Sequence, residues 1–259
     1  MRLAVADKGF SRAQIQRDRR RFAHSRRAEQ TYASQLRQIA RQVGMLVKGY
    51  APDGIVIDSV GLRRALHDYA DLIGPWARRV AERLINEVGN RDLQGWESLG
   101  AQLGRNLRLE LDTTSVGEQV RELLALQVDL ITSIPRDAAE RVHKLTMEAL
   151  SNSQRAPAIA AEILRSNDVS KSRAVLIART ETGRMATVFT QARAQHLGSE
   201  GYIWRTAHDH DVRESHKKME GRFVRWDTPP TLSDGTVTHA GAIYNCRCFC
   251  EPVLPEIIA

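Results

Sequence analysis

The sequence predicts an α+β protein: a helical region over residues 1–168 with a basic N-terminal segment, then a small α+β unit over residues 169–259 made of a long helix and a short antiparallel sheet. Three observations predict it. Through the first 165 residues apolar side chains recur three or four positions apart, the spacing that lines one helix face. Beyond Ser170 one long helical pattern gives way to short stretches in which aromatic and basic residues alternate, the period of half-buried strands. Aromatics make up 5% of 259 residues, too few for a large β core.

Taken in order, Tyr32, Leu36, Ile39, Val43 and Leu46 predict a helix of several turns from about Thr31. KGYAPDGIVIDS, 48–59, ends it at Gly49, Pro52 and Gly54, and its IVI reads as a short strand or an extended linker. Leu62, Leu66, Tyr69, Leu72 and Ile73 open a second helix, which Gly74 and Pro75 interrupt before Trp76, Val80, Leu84 and Val88 resume the period. Trp96, Leu99, Leu103, Leu107 and Leu111 predict another helix over 93–111. Ser115 and Glu118 have the spacing of a capping box, opening a helix through Val120, Leu124 and Ile131. Pro135 suits the first turn of a further helix through Val142, Leu145 and Leu150, and 158–165 adds a short one. The helical region thus reads as five to seven helices. A long helix is predicted over 171–196, ended by Gly198, and strands at 202–206, 222–226 and 246–253.

The chain carries +7 overall, yet residues 1–50 hold 12 basic against 3 acidic side chains. The basicity is therefore an N-terminal property, densest at Arg17, Arg19, Arg20, Arg21, Arg26 and Arg27. An Arg-rich helical segment of this kind contacts phosphates without reading sequence, or is a solvated or acid-docking helix face. No run of 18 apolar residues is present, and the first residues lack the apolar core of a secretory signal, which predicts a protein made and kept in a cytosol.

All three cysteines, Cys246, Cys248 and Cys250, stand at alternate positions of NCRCFC. As a strand they would line one face, with Arg247 and Phe249 on the other. They read either as three core-facing thiols or as part of a zinc site. In the second case His216, Cys246 and Cys248 are the candidate ligands, with His239 or Asp209 completing the set. Asp211 with Glu214 reads as the cap of a short helix that puts Arg213 and His216 on one face. No nucleophile elbow, phosphate loop, zinc-protease helix or dinucleotide fingerprint occurs, so no reaction or small-molecule substrate is expected.

IARTET (177–182), GYIWRTAHD (201–209), VRESHKKMEGRFVRWDTPP (212–230) and YNCRCFCEPVLP (244–255) occur in the order found in the phage Mu F-like head morphogenesis family, and residues 170–255 resemble that family. Asp209, Arg213 and His216 match its Asp, Val-Arg and His spacing, with Trp204 and Gly221 as further motif positions. Asp211 stands where the family often has a basic residue, and Cys250 lies outside its Cys-Arg-Cys. The resemblance implies a minor head protein, assembled in the host cytoplasm and held inside the virion near the portal. Its implied partners are portal protein, major capsid or scaffold protein and phage DNA, with no membrane, in a role in packaging or ejection. Rival readings are a metal-dependent nuclease carried in the virion and a simple nucleic-acid-binding module.

Overall fold

The computed structural model describes residues 21–23, 25–51, 58–102, 116–152 and 161–255. Among the described residues five long helices precede the sheet: α1 (Arg26–Gly49), α2 (Ser59–Leu72), α3 (Gly74–Gln102), α4 (Gly117–Asn152) and α5 (Ser166–His196). The order closes with β1 (Gly201–Arg205), the single-turn α6 (Glu214–Lys217), β2 (Phe223–Arg225) and β3 (Phe249–Val253). This is the predicted class, a helical region followed by a small α+β part. No helix among the described residues is long and apolar enough to cross a membrane.

Local signals explain most helix ends. Ser25 Oγ accepts from the Ala28 N–H at 3.2 Å, and Asp58 caps α2 by accepting from Gly61 N at 2.8 Å. Pro75 falls in the first turn of α3, where its missing N–H costs nothing. At the end of α5, Ser199 N donates to Ala194 O and Gly198 N to Gln195 O, the paired bonds of a Schellman motif. The helix itself begins at Ser166, five residues before the predicted start.

Two predicted breaks are absent. The stripe from Trp76 to Val88 and that from Leu93 to Leu99 lie on one continuous helix, α3. Pro135 sits inside α4 rather than at a new start. A proline there cannot donate to Ile131 O, yet hydroxyls of the preceding turn hold the local carbonyls: Thr132 Oγ1 donates to Val128 O at 3.0 Å and Ser133 Oγ to Leu130 O at 2.8 Å. The IVI stretch, Ser115 of the expected capping box, Leu103, Leu107, Leu111 and residues 158–160 lie outside the described residues, while 161–164 are helical as expected.

The chain forms two compact units, and the expected boundary near residue 168 falls inside α5. One unit comprises Glu29–Leu84 and Leu124–Ala178. Its core joins Tyr32, Leu36, Ile39 and Val43 of α1 with Leu62 and Leu66 of α2 and Ile131, Ile134 and Val142 of α4. Within it the Tyr32 hydroxyl donates to Gln127 Oε1 at 3.0 Å, so the one buried phenol is satisfied.

The other unit takes Ile85–Leu123 and Arg179–Ala259 together with the residues before Glu29. Its sheet runs β2-β1-β3, antiparallel throughout, with Tyr202 opposite Val224 and Pro252, and Trp204 opposite Cys250. Tyr202, Trp204, Val224 and Cys250 join Trp96, Trp226, Phe249 and Leu254 in one buried cluster. Beneath it Asp92 of α3 is buried against Arg193 and Thr190 of α5, an ion pair and a hydroxyl bond.

Candidate metal centre

Three side chains with soft or borderline ligand atoms converge in the second unit. His216 Nδ1 lies 3.5 Å from Cys246 Sγ and 3.4 Å from Cys248 Sγ. The three atoms lie within 4.8 Å of one another, and all three residues are buried. The cysteines are reduced.

Backbone geometry brings them together. His216 projects from α6, whose N-cap is Arg213 with no side-chain cap. The expected capping box of Asp211 and Glu214 is therefore corrected: Asp211 turns away to Arg247, a full charge partner at 3.0 Å. On the facing side, the loop 240–248 leads into β3. Asn245 adopts a left-handed φ of 55°, a conformation asparagine tolerates better than most residues, and the chain then enters Cys246 from a tight turn. The strand proper begins at Phe249, so the picture of three cysteines on one strand face is also corrected. Cys246 and Cys248 share the His216 side from irregular backbone, with Arg247 directed outward between them. Cys250, inside the strand, instead reaches Ala240 O at 3.7 Å.

The loop rests on one face of α5. Thr180 Oγ1 accepts from Asn245 N at 3.3 Å, and Thr187 Oγ1 donates to Ala240 O at 2.7 Å. Between them Gly183 leaves room for the chain, since a side-chain carbon there would stand 3.1 Å from Gly241 O and 3.4 Å from Cys246 O. Thr180, Gly183 and Thr187 are spaced three and four apart, which places them on one side of the helix. The motif IARTET contains the first of these positions; the spacing with Gly183 and Thr187 is the signal the sequence reading passed over.

Electrostatics favour one shared negative charge on the sulfurs. The Cys246 thiol is pushed down to about 4, chiefly by a hydrogen bond from Cys248 and also by His216 and the Cys248 backbone N–H. Cys248 moves the other way because its proton is the one held against the Cys246 thiolate and because it is buried. Trp204 packs edge-on against the His216 ring at 5.5 Å between centroids, and its buried indole N–H has no oxygen or nitrogen partner. That N–H favours the charged form of Cys248.

Outside the triad, the other motif residues hold its scaffold. Asp209 binds Arg247 at 2.8 Å, and Arg213 donates to Tyr244 O at 2.8 Å, so both grip the cysteine loop. Gly221, at a φ of 76°, donates to Trp204 O at 2.9 Å in the turn that enters β2. Glu220 accepts from Arg205, from Thr206 N and from Thr206 Oγ1, a network the sequence reading did not single out. His239 does not join the sulfurs. It faces the Tyr202 hydroxyl at 3.2 Å, and burial lowers its pKa. Asp209 is likewise committed to Arg247, so neither proposed fourth ligand is at the cluster.

Of the six arginines expected to contact DNA, Arg17, Arg19 and Arg20 lie outside the described residues. Arg26 and Arg27 are exposed on the first turn of α1, and Arg21 is half-buried.

Residues 140–251 match the family described as Phage Mu protein F like protein. A Haemophilus influenzae protein described as uncharacterized is 29% identical over 180 residues, which cover 67% of this chain. The chain spans 39% of that relative's length. No solved structure matches it.

Proposed function

We propose, from a chain that is phage Mu F-like over residues 140–251, that this protein acts in phage head morphogenesis, inside the head near the portal. The single observation that carries the reading is that match, which makes a phage head-associated protein the coarse assignment. Its motif residues Trp204, Asp209, Arg213, His216 and Gly221 all lie in one small scaffold around the cysteine loop. Binding to portal and capsid or scaffold protein is the corresponding activity. Purified heads from cells producing the phage should contain the chain in a few copies, and tagged chain should recover portal protein from the same lysate. Heads that form normally and lack the chain would overturn the assignment.

DNA contact through the N-terminal segment is the second part of the reading. Arg26 and Arg27 are exposed at a helix N-terminus, where their charge is unfavourable to the helix dipole and is offset by an external anion. In the full chain, replacing Arg17, Arg19, Arg20, Arg26 and Arg27 by Gln should weaken binding to duplex DNA. The slope of log affinity against log salt should flatten by about 0.9 for each phosphate contact removed. An unchanged slope would exclude phosphate contact by this segment.

A further inference from the structure

We propose that His216 Nδ1, Cys246 Sγ and Cys248 Sγ bind one zinc ion, which ties α6 to the cysteine loop. The inference rests on geometry alone and does not depend on the head-protein reading.

Distances carry the argument. With zinc–nitrogen bonds near 2.05 Å and zinc–sulfur bonds near 2.3 Å at a tetrahedral angle, the nitrogen and each sulfur stand about 3.6 Å apart. The observed separations are 3.5 and 3.4 Å, close to that spacing, and the sulfurs, which lie within 4.8 Å of each other, would draw to about 3.8 Å around the ion. Hydrogen bonding accounts for the cluster less well. A ring nitrogen carries either one N–H or one lone pair and cannot make two well-aligned bonds to two sulfurs at once. A cation in the space between the three atoms satisfies all of them.

The donor set selects the ion. Two thiolates and an imidazole suit zinc and not magnesium or calcium, which take oxygen ligands. Binding requires both thiols deprotonated, and the two thiolates then balance the ion's two positive charges. The buried Trp204 N–H beside Cys248 then faces a permanently charged sulfur. Thr180, Gly183 and Thr187 act through the loop and are positioning residues.

Full-length protein, reduced and reloaded with zinc, should hold about one ion per chain. Cobalt in its place should give an intense thiolate-to-metal charge-transfer band. Cys246→Ser, Cys248→Ser and His216→Ala should each lose the ion, whereas Cys250→Ser, which alters a thiol facing Ala240, should keep it. A wild-type cobalt spectrum without the thiolate band would overturn the proposal whether or not any variant folds. So would loss of the ion from Cys250→Ser as complete as from Cys246→Ser.

Discussion

Replacing Arg193 by Met is expected to destabilise the protein by about 3–5 kcal/mol near neutral pH, because it leaves the buried Asp92 carboxylate without its counter-charge. The loss should shrink in acid. Burial raises the Asp92 pKa, while Arg193 and the Thr190 hydroxyl pull it down. A carboxyl whose folded pKa lies above its unfolded value contributes stability that is present below the unfolded pKa, near 4, and is lost as pH rises through the folded pKa. Removing Arg193 lifts the folded value further and widens that window toward neutrality. Urea unfolding of both proteins at about pH 4.5 and about pH 7 measures the effect. An equal loss at the two pH values would mean that packing of the arginine stem, and not its charge, sets the cost.

Gly241→Ala should be the most disruptive single-methyl change in the cysteine loop. Its φ of 82° is one that L side chains adopt at a cost of about 1–2 kcal/mol, and the added carbon would also stand 2.6 Å from Thr187 Oγ1 and 2.9 Å from Cys248 O. Gly235 supplies the control, since it has the same φ with nothing within 4 Å of an added carbon. Gly235→Ala therefore reports backbone strain alone. The difference between the two variants in unfolding free energy measures the contact with the loop, and Gly241→Ala should also expose Cys246 and Cys248 to alkylation. Equal destabilisation with unchanged thiol protection would refute the close-approach argument.

The helices were legible wherever burial is one-sided. Leu36, Ile39 and Val43 on α1 and Leu62 and Leu66 on α2 are buried stripes whose period appears in the sequence. Pro135 reads as a helix start because a first-turn proline loses no bond; inside α4 it withholds a donor from Ile131 O, while the Thr132 and Ser133 hydroxyls bond the neighbouring carbonyls of Val128 and Leu130. On α5 the buried positions include Thr180, Thr182, Thr187 and Thr190, so no apolar stripe marks the face that receives the loop. In the candidate site, His216, Cys246 and Cys248 stand out as candidate ligands because all three cysteines of the chain lie in one short stretch. Their geometry was not legible, since alternation in NCRCFC suggests a strand that the left-handed Asn245 and the outward pull of Asp209 and Asp211 on Arg247 replace with a loop. The same pull diverted Asp211 from the helix cap that its spacing to Glu214 suggested.

The order β2-β1-β3 has a further consequence for how copies of this chain meet. A sheet of three strands has two open margins, each able to recruit a strand from another molecule. Here one margin is β2, three residues long, preceded by Arg222 and ending in Arg225, and the other is β3, where Pro252 removes a donor from the row. Neither margin presents a long, unbroken row of backbone donors and acceptors for strand addition. Molecules crowded together can therefore touch through helices and side chains without zipping their sheets into a fibre.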